Sequence, residues 1–301
     1  MKKPIKYTPA CAIIPYVLFI MAVCLSGHPC MANEPLTWLN FGQIPAYIQK
    51  GDYTGKGFID QTIQWIHKTA LTEYEPRYLN VNHKRFNIVA KQKNNCYIGW
   101  KTFSDYRTFS DPFAIWFPSG IIIHKKKRGA FGPQGALLSL EDLIQRDDLK
   151  LGIIEDFAYA PQVLEILSAH QDAKHVYPNI TPAMQIDLTM LLNGRVDYII
   201  GWPSQPIVTE KLYEIPNEFI FYNMKEDQTY LYIGVSCGTC DTGKRVIQKI
   251  NTMFKNPENF LKAQSFIDEW VVLSDQYKTL FRQTIVERQP HPLVTHMVYP
   301  Q

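Results

Sequence analysis

Between residues 139 and 200 the chain repeats one pattern: short apolar, β-branched runs alternate with stretches whose apolar positions recur at helical spacing. Leu149–Ile154 and Arg195–Ile200 read as strands, Pro161–Ala169 and Met184–Leu192 as helices, the second closed by Asn193-Gly194 as a C-cap. Ser139, with Asp142 three positions on, is a hydroxyl N-cap for a further short helix. A helix joining two strands of one sheet lets them run parallel, so this order commits the region to an α/β architecture.

The flanking segments add strands and helices without repeats or low-complexity tracts. Leu36–Phe41 reads as a strand, followed by a turn-rich stretch to Gly57 and a helix from Phe58 to Lys68 with Ile59, Ile63 and Ile66 on one face. Arg85–Ala90 forms another element and leads into Asn95–Trp100. Ala114–Phe117 and Ile121–Ile123 are too apolar to be a linker and suit strands that cross between domains. Tyr230–Val235 is a strand, Gly243–Phe254 a helix with Thr242 as its N-cap, and Pro257–Trp270 the final helix. The tail from His291 has little to hold it.

The chain starts with Lys2, Lys3 and Lys6, then the apolar stretch Ala12–Val23 and the small residues Cys30 and Ala32, which is the form of a secretory signal cleaved before Asn33. The run is short and broken by Pro15, so a retained membrane anchor is disfavoured. The formal charge of +3 belongs entirely to this segment, which holds three lysines and no acid. A neutral mature chain offers no basic surface for nucleic acid, and Lys125-Lys126-Lys127-Arg128 reads as a solvated loop.

Export leaves three cysteines, Cys96, Cys237 and Cys240, enough for one disulfide and one spare thiol in an oxidising compartment. All three pairings are open on sequence alone. Val235-Ser236-Cys237-Gly238-Thr239-Cys240-Asp241-Thr242-Gly243 places a Cys-x-x-Cys between a strand and a helix N-terminus, the arrangement that lowers a thiol pKa, so a thiol-disulfide oxidoreductase using Cys237 and Cys240 is one functional reading. The histidines lie too far from the pair for zinc-finger spacing, and no His-Glu-x-x-His, Gly-x-Ser-x-Gly or Gly-rich phosphate loop is present. These residues point to no enzyme, no metal and no cofactor.

Several local patterns, taken in order, resemble the periplasmic solute-binding proteins of amino-acid ABC transporters, extracellular solute-binding family 3. They are Ile44-Pro45-Ala46-Tyr47, Gly55-Lys56-Gly57-Phe58-Ile59-Asp60, Phe109-Ser110-Asp111-Pro112-Phe113, Ser139-Leu140-Glu141-Asp142-Leu143 before Leu151-Gly152-Ile153, and Leu192-Asn193-Gly194-Arg195-Val196-Asp197. The resemblance runs from Trp38 to about Tyr277. It implies a type II two-lobe α/β fold with the ligand cleft between the lobes. One lobe would comprise residues 33–116 and 231–301, the other 117–230. It also implies a periplasmic monomer that binds a small polar solute for an ABC permease or a sensor.

In such a cleft a small polar ligand is desolvated, so its charges need fixed partners and its apolar part needs aromatic walls. Trp38, Tyr47, Trp100 and Trp202 are the aromatic candidates. Thr102, Arg107 and Ser110 are polar candidates, Arg107 being the only arginine before the Phe-Ser-x-Pro motif, where the family holds a ligand carboxylate. Asp156 and Tyr159 are further candidates at the start of the inserted lobe. The family's amine-binding acid falls on Trp202, which puts an α-amino acid ligand in doubt. With Cys96 and Cys237 both assigned to the first lobe, the resemblance favours a disulfide between them and leaves Cys240 free.

Overall fold

The structure is a computed structural model that describes residues 34–100, 104–154, 157, 159–179, 188–216 and 218–296. The signal segment 1–32, and the site candidates Thr102 and Asp156, lie outside these residues.

Two sheets organise the fold. The first has seven strands: β1 (Glu34–Asn40), β2 (Tyr74–Asn80), β3 (Asn95–Trp100), β4 (Arg107–Phe109), β5 (Ala114–Trp116), β11 (Tyr230–Gly238) and β12 (Val294–Thr295). The second has five: β6 (Gly120–His124), β7 (Leu151–Ile154), β8 (Val176–Asn179), β9 (Tyr198–Gly201) and β10 (Phe219–Asn223). The chain leaves the first sheet after β5 and returns to it at β11, so residues 117–119 and 224–229 are the two crossings.

In the second sheet β7 runs parallel to both β8 and β9, as the helix-strand alternation demands, while β6 and β10 run antiparallel at one edge. Helix α4 (Pro161–Ala169) begins with Pro161, whose fixed φ and missing N–H suit a first turn. Ser139 Oγ accepts from Asp142 N at 3.1 Å and caps α3 (Leu140–Ile144). Only Thr189–Leu192, α5, is described of the helix expected over 184–192. The Asp197 expected after the strand-forming turn is buried and structural: it receives Lys150 N at 2.9 Å and pairs with Lys127 Nζ at 2.7 Å.

In the first sheet β11 is the central strand, antiparallel to β3, β4 and β5. Helix α1 (Phe58–Thr69) buries Ile59, Ile63 and Ile66 in the main hydrophobic core, each burial being worth roughly 1.5–3 kcal/mol. Helix α2 (His83–Val89) fills the Arg85–Ala90 expectation. Helix α7 (Asp241–Met253) starts earlier than the sequence suggests, because Cys240 and not Thr242 is the N-cap: its Sγ accepts from Gly243 N at 3.4 Å. Helix α8 (Pro257–Asp268) ends short of Trp270. The tail is held after all, since Val294 and Thr295 pair in parallel with Tyr230 and Leu231.

Two helices escaped the sequence reading: α9 (Asp275–Phe281), after α8, and α6 (Gln205–Tyr213), between β9 and β10, whose apolar pattern is weak. Helix α6 reaches back to the first sheet's helices, where Lys211 Nζ donates to the Glu269 carbonyl and lies 5.1 Å from the Trp270 ring centre. No helix among the described residues is long and apolar enough to cross a membrane.

Candidate functional site

A cavity of about 490 Å³ opens between the two sheets, next to both crossings. Its walls come from six segments of that junction: Trp100 at the end of β3, Trp116 to Ser119 on the first crossing, Phe157, Tyr159 and the first residues of α4 after β7, Trp202 after β9, Glu226, Asp227, Thr229 and Leu231 at the second crossing, and Thr295 with His296 at the C-terminal strand. Largely apolar walls with a few fixed polar groups are the form of a small-molecule site.

Four rings make the centre of this wall. Phe157 packs edge-on to Trp202 at 5.2 Å, to Tyr159 at 4.9 Å and to Trp100 at 6.5 Å between ring centres. The Trp100–Phe157 contact joins a strand end of the first sheet to a loop of the second. Two of the four residues are held by local hydrogen bonds. Tyr159 is buried, and its hydroxyl accepts from Ile154 N at 2.9 Å, while burial raises its pKa and keeps it neutral. The Trp202 backbone N–H donates to Gln205 Oε1 at 2.9 Å. That approach requires Gly201, because a Cβ there would lie 1.9 Å from the same oxygen.

Two acids sit side by side on the second crossing. Glu226 is buried and caps α3, its Oε1 accepting from Ser139 Oγ at 2.9 Å and its Oε2 from Leu140 N at 3.0 Å. Asp227 ties the two crossings together: its Oδ2 accepts from Ser119 N at 2.8 Å and from Ser119 Oγ at 2.6 Å. Burial raises the Asp227 pKa, and the Ser119 donors oppose that rise.

Of the residues singled out from sequence, Trp100, Tyr159 and Trp202 are thus brought together at one cavity. Four others are taken up by the first sheet's own packing, which corrects their expected place in the cleft. Trp38 is fully buried, its Nε1 donating to His67 Nε2 at 2.8 Å, and burial lowers the His67 pKa so that it can accept. Tyr47 is fully buried, its hydroxyl donating to the Ile98 carbonyl at 3.1 Å and accepting from Ile98 N at 3.2 Å. Ser110 Oγ donates to the Asp111 carbonyl at 2.8 Å and accepts from Val235 N at 2.9 Å.

Arg107 is the largest departure. Its guanidinium is buried and spends its donors on Ser236, on the Ala90 carbonyl at 2.8 Å and on Asn95 Oδ1 at 2.7 Å, with the Tyr97 ring 4.8 Å away. Burial lowers its pKa. Four of its five N–H donors are spent inside the first lobe. Phe157, Trp116 and Asp227 were missed; Phe157 lies within the Glu155–Tyr159 stretch that held two candidates, but nothing local marked it as the pivot of the ring cluster.

The thiol-disulfide reading fails on connectivity. Cys96 and Cys237 face each other across β3 and β11 and are joined, with Cα atoms 4.1 Å apart. Cys237 is therefore committed, and Cys240 is free, its Sγ donating to the Lys93 carbonyl at 3.0 Å. Among the described residues no group of three or more His, Cys, Asp or Glu is placed to hold a metal ion.

No protein-family model matches the sequence, and no curated protein matches it at significant similarity. Solved structures do match. The arginine-, lysine-, histidine-binding protein ArtJ from the thermophilic bacterium Geobacillus stearothermophilus superposes with a TM-score of 0.55 at 16% identity, over 82% of this chain and 99% of that one. The GluR0 ligand-binding core in complex with L-glutamate gives 0.54 at 13% identity, over 80% and 99%. A histidine kinase sensor domain with similarity to periplasmic binding proteins gives 0.55 at 13%, over 79% and 95%. At such identities the likeness is one of fold, and the fold is the two-lobe α/β architecture of the periplasmic solute-binding proteins.

Proposed function

We propose that this chain is a non-catalytic solute-binding protein, exported to the periplasm by cleavage of residues 1–32, which holds a small molecule between its lobes for an ABC permease or a sensor. The lobes are taken as residues 33–116 with 231–301, and 117–230, and the protein as a monomer without cofactor. The observation that carries this reading is the ring cluster: Trp100 and Phe157, from a strand end of the first sheet and a loop of the second, meet at the cavity next to the two crossings. A ligand inserted there touches both lobes and so favours the conformation in which they close.

The arginine-, lysine-, histidine-binding protein and the ligand-binding core in complex with L-glutamate support an amino-acid site only by fold. The cavity here supports a different solute. Among its described lining residues there is no lysine or arginine to receive an α-carboxylate, and Arg107 is sealed in the first sheet.

A thermal-shift screen of amines, organic acids, sugars, amino acids and short peptides tests the proposal. A ligand at 100 times its Kd adds about 2.7 kcal/mol, which moves the midpoint by roughly 5–10 °C in a chain of this size. A broad panel with no stabilising compound contradicts it.

A further inference from the structure

We propose that the inter-lobe cavity takes an organic cation on an apolar body, a quaternary ammonium or a bulky amine, with Trp100, Phe157 and Trp202 as its aromatic walls and Asp227 as its counter-charge. This rests on the solute-binding reading above and narrows it to a ligand class.

The charge balance of the wall is the first ground. The lining holds Glu226 and Asp227, and among its described residues no lysine or arginine. The donors to Asp227 are neutral, the Ser119 amide and hydroxyl and the Thr229 amide, so they orient the carboxylate without supplying a counter-charge. Glu226 differs: its charge is absorbed by the N-terminus of α3. Lys225, the nearest cation in sequence, turns away to Asp142 at 3.8 Å. Among the described residues neither Glu226 nor Asp227 has an ion-pair partner.

The walls are the second ground. Indole and phenyl faces attract a cation through their quadrupoles, and a quaternary ammonium needs no hydrogen-bond acceptor, only such faces and a nearby negative charge. Trp100, Phe157 and Trp202 meet edge to face, so neighbouring rings lie at large angles to one another, 87° and 70° for the two Phe157 contacts. Rings so angled can surround a rounded cation where a parallel stack would admit only a flat ring. An anion would face the Asp227 charge, and a neutral body would leave that half-buried charge unanswered.

The test uses the exported protein and titration calorimetry with choline, phenyltrimethylammonium and 3,3-dimethylbutan-1-ol, the last being choline with carbon in place of the ammonium nitrogen. Choline is expected to bind at least about tenfold more tightly than its neutral isostere. Asp227→Asn keeps an oxygen for both Ser119 donors and is expected to reduce that preference to about threefold or less. Equal binding of choline and the isostere, failure of both cations to bind, or a preference that survives Asp227→Asn overturns the assignment. Should a neutral or anionic compound instead bind the native protein and be lost in Trp202→Ala, solute binding stands and the cation assignment alone falls.

Discussion

Arg107 and Ser236 are joined twice: Arg107 Nε donates to Ser236 Oγ at 2.9 Å, and Nη2 donates to the Ser236 carbonyl at 2.7 Å. The arginine that the sequence offers as a carboxylate fork is a clamp on the central strand, fastening β4, β11 and the start of β3. Burying a guanidinium among neutral acceptors is costly unless every donor is matched, and here each bonded atom has a partner within ordinary distance.

Arg107→Met should therefore act on stability. It leaves the Ala90 and Ser236 carbonyls and Asn95 Oδ1 short of a donor inside the lobe, a loss of roughly 3 kcal/mol or more in urea unfolding. Affinity for any cavity ligand should change less than about twofold in the folded variant. Full stability with lost binding would mean that the guanidinium serves the ligand.

The Cys96–Cys237 bridge closes a loop of 141 residues in sequence separation. Its removal in a Cys96→Ala, Cys237→Ala variant should cost roughly 2–5 kcal/mol. Non-reducing peptide mapping should recover Cys96 joined to Cys237 and Cys240 as the alkylated thiol. A Cys237–Cys240 peptide would contradict the connectivity.

Asp60 gives a pH dependence of unusual sign. Its Oδ2 accepts from Ile48 N at 2.8 Å and Gly57 N at 3.2 Å, yet burial dominates and pushes its pKa from 3.8 up to about 6. A carboxyl whose folded pKa lies above its unfolded value binds the proton more tightly when folded. Its contribution to stability is fully present below about pH 4 and is lost as pH rises through 6, a change on the order of 3 kcal/mol. Asp60→Asn retains an oxygen for both amides, so the difference in stability between native and variant protein should drift in the variant's favour from pH 4 to pH 7. A constant difference would show that Asp60 does not titrate in this range.

Much of the fold was legible because it follows from periodicity and punctuation. Pro161 opens α4, Ser139 caps α3, and Ile59, Ile63 and Ile66 enter the core, each for a reason visible in a few residues. The site was less legible because a motif fixes position along the chain but not the side on which a strand residue points. Arg107 and Ser110 sit where the sequence puts them, yet both turn into the first sheet. Trp38 and Tyr47 went the same way, since a buried aromatic with one polar atom needs a partner, and His67 and Ile98 supply it. The cavity depends on side chains from six segments separated in sequence, and no local pattern marked Phe157 as their meeting point. Helix α6 was missed because its apolar face is poorly defined.

Trp202 offers the most direct check of the cavity itself. Its ring packs on Phe157, and its backbone is held by Gln205 whatever the side chain. Trp202→Ala should remove one cavity wall and weaken a stabilising ligand at least tenfold, about 1.4 kcal/mol or more. The measurement is titration calorimetry of a ligand found by thermal shift, on the native protein and on Trp202→Ala. Submillimolar binding lost in the variant, with far-ultraviolet circular dichroism unchanged, is the predicted result. Undiminished binding by Trp202→Ala would place the ligand elsewhere and contradict an inter-lobe solute site.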